Sequence, residues 1–100
     1  MERRRLGQTG LRVSVLGFGC GAIGGLLVKG DPAEQRRAIE RALEAGVTYF
    51  DTAPLYGDGA SETNLGRAFS EMGGVPDSAI IGSKVRVDPA EVDRAPELIR

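Results

Sequence analysis

One hundred residues with 13 basic and 14 acidic side chains carry a formal charge of -1; with both signs interspersed, the basic surplus of a nucleic-acid-binding surface is missing. Hydrophobic residues at 41% and charged residues at 27% can fill one core, and no apolar run approaches the roughly 20 residues of a membrane helix. A single cysteine, Cys20, and the absence of His exclude an intramolecular disulfide and a Cys/His metal cluster within the chain, and they leave proton transfer to Tyr, Lys, Asp, Glu or Cys.

The basic start Met1-Glu2-Arg3-Arg4-Arg5 is followed by an apolar stretch broken by Gly17, Gly19, Gly21, Gly24 and Gly25. No secretory signal is expected there, and a reducing cytosol is the expected compartment. Gly7-Gln8-Thr9-Gly10 lies between Arg4-Arg5-Leu6 and Leu11-Arg12-Val13, which predicts a hairpin. Arg3, Arg4 and Arg5 then form a solvated strand. Val13-Ser14-Val15-Leu16-Gly17-Phe18 reads as a first parallel strand buried on both faces. Residues 25–30 read as loop. Asp31-Pro32-Ala33-Glu34 places a carboxylate at the N-cap, Pro at the first helical position and Glu three residues after the cap, so a helix is predicted over 32–45. Ala38, Ile39, Ala42 and Leu43 form its buried stripe, with Gly46 as a left-handed cap.

Val47-Thr48-Tyr49-Phe50 is β-branched and aromatic and stops at Asp51, predicting a second buried strand. Ser61 is expected to cap a second helix whose Leu65, Ala68, Phe69 and Met72 follow helical spacing before Gly73-Gly74. Ala79-Ile80-Ile81-Gly82-Ser83 makes a third strand ending at Lys84. Asp88-Pro89-Ala90-Glu91 repeats the capping tetrapeptide, but Pro96 would break a helix begun at Pro89. A turn is expected there, followed by a helix starting near Ala95 and Pro96. The order of hairpin, β, α, β, α, β calls for parallel strands and right-handed crossovers. The fold class is α/β, one domain over 1–100: a hairpin and lead-in over 3–15, βαβαβ units over 13–84, and a loop with the start of a third helix over 85–100.

Consecutive parallel strands end on one edge of the sheet, where such folds place their ligands. Asp51 and Lys84 therefore face each other from adjacent strand ends, with Tyr56 reaching over from the intervening loop. A free phenol, with a pKa of about 10, is a poor proton donor at neutral pH, and an adjacent ammonium favours the phenolate. Lys84 is expected to tune Tyr56 into a usable acid while Asp51 holds Lys84 charged and aimed. Taken singly, a Tyr after a Pro is often a packed loop residue and a strand-end Lys a solvated flank. The pattern Asp51-Thr52-Ala53-x-x-Tyr56-Gly57 followed by a strand-end Lys is much more specific.

These residues resemble the aldo-keto reductase family. The resemblance runs through Arg5-Leu6-Gly7-Gln8-Thr9-Gly10-Leu11-Arg12-Val13-Ser14, Leu16-Gly17-Phe18-Gly19, Phe50-Asp51-Thr52-Ala53, Tyr56-Gly57, Ser61-Glu62, Leu65-Gly66 and Ser83-Lys84, and spans essentially the whole chain. It implies the N-terminal part of a (β/α)8 barrel, about three of its eight units, and NADP(H) or NAD(H) as cofactor. The catalytic residues it implies are Tyr56 as general acid with Asp51 and Lys84. Gly19, Cys20, Gly21 and Asp51 are the implied cofactor contacts, and the implied partner is a small carbonyl or sugar substrate, with no nucleic acid and no membrane. The family's catalytic group also includes a His, and the lack of one is expected to mark where this stretch of the barrel stops; residues 1–100 alone are expected to be inactive. Many members carry Thr where this chain has Cys20, which reads more simply as a small residue fitting a crowded strand end.

Gly19-Cys20-Gly21-Ala22-Ile23-Gly24 also satisfies G-x-G-x-x-G after a strand. Six further residues separate it from the Asp31 cap, so the helix N-terminus could not meet a pyrophosphate as in a Rossmann fold. The same loop resembles that of the family's sugar dehydrogenase branch. Glu62 is expected near the positive end of the second helix, with a structural role by the active-site loop as the alternative, and Asp58 is a turn former first and a substrate contact second. The alternatives to an enzyme are a cofactor-binding regulatory subunit of the same fold and an inactive fragment.

Overall fold

A computed structural model of the chain describes residues 1–21, 25–85 and 89–90. The elements are β1 (Arg3–Arg5), β2 (Arg12–Ser14), β3 (Gly17–Gly19), α1 (Leu26–Lys29), α2 (Pro32–Glu44), β4 (Tyr49–Asp51), α3 (Ala60–Glu71) and β5 (Ile80–Gly82). β1 and β2 pair antiparallel, and β3, β4 and β5 form a parallel sheet in that order. Gly19 and Gly82 lie in register on either side of Asp51. The architecture is mixed α/β. The helix expected near Ala95, and most of the second capping tetrapeptide, lie outside the described residues.

The hairpin forms as expected, with Leu6 N donating to Leu11 O at 2.9 Å and Arg3, Arg4 and Arg5 exposed. The run over 13–18 is not one strand. Val13 and Ser14 belong to β2, Val15 and Leu16 are 52% and 60% exposed in a bend, and the parallel strand starts at Gly17. A reciprocal pair of bonds accounts for the break: Ser14 N donates to Thr48 Oγ1 and Thr48 N to Ser14 Oγ, both at 2.9 Å. This buried clasp ends the hairpin on the residue before β4 and turns the chain before β3 begins. The hairpin thus sits at the N-terminal end of the sheet, opposite the ends of β4 and β5.

α2 follows its signals closely. Asp31 Oδ2 accepts from Ala33 N at 3.0 Å and Glu34 N at 3.3 Å, and Gly46 adopts a left-handed φ of 95°. Ile39 is fully buried, and Ala42 and Leu43 pack against the same cluster. The loop expected over 25–30 instead contains the single-turn α1, which buries Leu27. Two side chains secure it: Asn64 on α3, whose Nδ2 donates to Leu27 O at 2.8 Å, and Gln35 on α2. Gln35 Nε2 donates to Leu26 O at 2.9 Å and Gly30 O at 3.1 Å, and its Oε1 accepts from Arg67 Nη2 at 2.7 Å. Leu26 O already accepts from Gly30 N at 2.8 Å, so the buried amide adds a second donor there and supplies one to Gly30 O.

The strand predicted over 47–50 is displaced: the ladder covers Tyr49–Asp51, with Val47 and Thr48 as a buried lead-in. β5 is the centre of the strand expected over 79–83. The core lies between the sheet and the helices, where Phe50 and Phe69 meet edge to face at 5.3 Å and Phe18 stacks at a tilt 5.6 Å from Phe50. Leu27, Ile39, Leu65 and Ala68 complete it. Each large side chain buried here contributes about 1.5–3 kcal/mol by its removal from water. Burial on both strand faces does not hold among the described residues: Gly17 and Gly19 are exposed and Ile81, in register with Phe50, is 40% exposed. Among the described residues β3 and β5 are the sheet edges; Phe18, Phe50 and Ile81 share the face toward the helices, and the cover of that face gives out at β5.

Candidate active site

Three side chains predicted to share one edge do so. Asp51 ends β4, Lys84 follows β5 by two residues, and Tyr56 sits in the turns between β4 and α3. Lys84 Nζ donates to Asp51 Oδ1 at 3.1 Å, to Thr52 O at 2.9 Å and to Tyr56 Oη at 3.3 Å. An ammonium has three protons, and each has an acceptor. Lys84 and Asp51 are about half exposed, so this edge is open to solvent and to a ligand. The hydrogen bond to Asp51, then that to Tyr56, raises the Lys84 pKa above its ordinary value. The ammonium is the form that this geometry favours.

Thr52 organises the surroundings. Its amide donates to Gly82 O at 2.8 Å, joining β4 to β5 past the ladder, and its carbonyl receives the Lys84 proton. Its hydroxyl lies 2.7 Å from Ser61 Oγ, which also donates to Cys20 O at 2.7 Å. Ser61 is therefore not the cap of α3. The N-cap is Gly59, at a φ of 94° that glycine adopts without strain, and Ser61 lies one residue inside the helix, fully buried and turned to the sheet. This relay was hidden in the sequence because a Ser near a helix start has a sufficient local explanation as a cap. Asp58, at a φ of 54°, is the turn former expected of it.

The residues suggested for cofactor contact divide. Gly19 is in register with Asp51, and nothing lies within 4 Å of where its Cβ would be. At Gly21 a Cβ would meet Cε2 and Cζ of Tyr56 at 3.7 Å, so bare backbone faces the phenol ring. Gly19 leaves open space beside the polar trio, whereas Gly21 is covered by the Tyr56 ring. Cys20 is not brought to this edge by its side chain: it is 1% exposed, with Sγ 3.8 Å from Phe18 O. Its amide donates to Asp51 O at 2.9 Å and its carbonyl accepts from Ser61. Burial, with a smaller contribution from the Asp51 charge, pushes the thiol up to about 11. The simpler reading of Cys20 as a small residue in a crowded strand end matches this placement.

The N-terminal amides of α2 are taken by Asp31, so that helix end does not offer a pyrophosphate the free donors a Rossmann loop uses. Glu62, in the first turn of α3, accepts a 2.7 Å hydrogen bond from Ser83 Oγ. Among the described residues no cluster of three or more His, Cys, Asp or Glu could hold a metal, and no helix is long and apolar enough to cross a membrane.

A carboxylate, an ammonium and a phenol are gathered beside Gly19 at the C-terminal ends of parallel strands, the edge at which α/β folds place their ligands. Comparison with known proteins specifies it. The Aldo/keto reductase family model matches residues 15–100, and the chain belongs to this family. It is 40% identical over 84 residues to pyridoxal 4-dehydrogenase of Microbacterium luteolum, covering 84% of this chain and 24% of that protein. It is 39% identical over 89 residues to the aldo-keto reductase YhdN of Bacillus subtilis, covering 88% and 27%. Among solved structures, aldo-keto reductase AKR11C1 from Bacillus halodurans in its holo form superposes with a TM-score of 0.70 at 37% identity, over 88% of this chain and 28% of that one. The glycerol dehydrogenase AKR11B4 from Gluconobacter oxydans gives 0.63 at 34% identity, over 83% and 25%. The chain spans about a quarter of the length of these relatives.

Proposed function

We propose that this chain forms the first three strand–helix units of a (β/α)8 barrel that interconverts a carbonyl and an alcohol, with Tyr56 as the general acid in reduction and general base in oxidation. The observation that carries the reading is the hydrogen bond from Lys84 Nζ to Tyr56 Oη at 3.3 Å, with Asp51 on the far side of the same ammonium at 3.1 Å. Because Lys84 donates to the phenolic oxygen, the hydroxyl proton of Tyr56 is free to be given away. As it leaves, negative charge grows on an oxygen that already faces an ammonium, which lowers the cost of the transfer. Asp51 keeps Lys84 charged and aimed, and Thr52 O fixes the third direction.

The open space at Gly19, in register with Asp51, together with the Gly21 backbone against the Tyr56 ring, supports these residues as the ones that would hold a nicotinamide cofactor, NADP(H) or NAD(H). When bound, such a cofactor supplies the hydride. The substrate class is a small aldehyde, ketone or sugar. The relatives' names support it, since pyridoxal 4-dehydrogenase and the L-galactose dehydrogenase of Arabidopsis thaliana, 35% identical over 72 residues, are named for small oxygenated substrates. The test is steady-state oxidation of NADPH by the whole protein with a panel of aldehydes. Tyr56→Phe is expected to lower kcat by about 10²–10⁴-fold while still binding the nucleotide, and equal rates for both proteins would overturn the reading.

A further inference from the structure

We infer that Glu62 is a positioning residue for Lys84, acting through the hydroxyl of Ser83. This rests on the reading of Lys84 given above. Lys84 is anchored at its tip by Asp51, Thr52 and Tyr56, but it stands two residues beyond the last residue of β5, where no strand pairing holds its backbone. Ser83 is the residue between, and its Oγ donates to Glu62 Oε2 at 2.7 Å, the separation of a strong bond from a hydroxyl to a carboxylate. Glu62 belongs to the first turn of α3, where the helix dipole favours a negative side chain.

The neighbouring residue explains why this turn is a firm anchor. Ser61, fully buried, ties the same turn to the end of β3 through Cys20 O and to the end of β4 through the Thr52 hydroxyl. With Glu62 holding Ser83, one turn of α3 grips the ends of all three parallel strands. Asp51 and Tyr56 belong to the β4 side of that grip, Lys84 to the β5 side. Loss of the Glu62–Ser83 bond lets the segment carrying Lys84 drift relative to both. A drift of even 1 Å loosens an alignment on which proton transfer depends. Among the described residues the charged and titratable groups facing Lys84 are Asp51 from β4 and Tyr56 from the following turns; Glu62 itself acts at one remove.

The experiment compares Glu62→Ala, Glu62→Gln, Ser83→Ala and the double variant Glu62→Ala/Ser83→Ala with the unaltered whole protein. Glu62→Ala and Ser83→Ala are each expected to lower kcat by about fivefold, the equivalent of one ordinary hydrogen bond, with KM little changed. Their alkaline pH limb moves to lower pH, because Lys84 sits less well on Asp51. The double variant is expected to be no worse than either single one, and Glu62→Gln, which keeps an acceptor for Ser83, is expected to recover most of the rate. The titration of the Lys84 Nζ resonance, followed by NMR, gives a readout independent of turnover and is expected to shift down in Glu62→Ala. An unchanged Lys84 titration together with an unchanged rate in Glu62→Ala overturns the assignment, as does a loss of melting temperature with neither kcat nor pH limb altered. Tyr56→Phe run in parallel separates the failures: if it retains full activity the reductase reading falls, whereas a collapse of Tyr56→Phe beside a normal Glu62→Ala removes only the role of Glu62.

Discussion

Lys84 Nζ lies 3.1 Å from Asp51 Oδ1 across 33 residues of sequence, and both side chains remain about half exposed. An exposed ion pair of this kind contributes little to stability. Its weight falls on the charge state and aim of Lys84, which in turn faces Tyr56 Oη. The pairing keeps the ammonium in place while the edge stays open.

Asp51→Asn removes the carboxylate while keeping the shape. Asp51 is the first cause of the raised Lys84 pKa, so the variant's Lys84 loses its proton at lower pH. The charged form then persists over a narrower range, and the alkaline limb of the kcat profile is expected to move toward neutrality. The rate at neutral pH is expected to fall by about 10–100-fold. A pH–rate profile of the whole protein checks both.

Cys20 links the site to alkaline stability. Its thiol is raised from 9.0 to about 11 by burial, then by the Asp51 charge, so the folded state holds the proton where the unfolded state releases it. The resulting contribution is present in full below about pH 9 and is lost as pH rises toward 11, amounting to about 2–3 kcal/mol over that window. Denaturant titrations between pH 7 and 11 are expected to show this decline and a shallower one in Cys20→Ala. At neutral pH, thiol labelling of the Cys20 peptide, followed by mass spectrometry, is expected to be slow in the native protein and fast once it unfolds.

Gln35→Leu tests what holds α1. The amide is 1% exposed and serves Leu26 O, Gly30 O and Arg67. A leucine of similar size leaves Gly30 O and Arg67 without this partner, while Leu26 O keeps only Gly30 N. Destabilisation by about 2–3 kcal/mol is expected, read as a lower midpoint in chemical denaturation. Gln35→Glu, which cannot donate when ionised, is expected to fare no better.

The amino-acid sequence by itself determined the alternation of strands and helices, the cap of α2 at Asp31, the stripes that bury Ile39, Leu65, Ala68 and Phe69 and the meeting of Asp51, Tyr56 and Lys84 at one edge. These follow from short-range periodicity, capping chemistry and the rule that parallel strands share an end. The division of residues 13–18 between β2 and β3, the turn of α1, the inward place of Ser61 and the bond of Glu62 to Ser83 were decided only in three dimensions. Each is a polar group answering a partner outside its own element: Ser14 to Thr48, Gln35 to Leu26 and Gly30, Ser61 to Cys20 and Thr52, Ser83 to Glu62. Local pattern records where apolar side chains recur. A hydrogen bond between elements depends on which donor or acceptor the fold brings alongside, and only packing brings the two together.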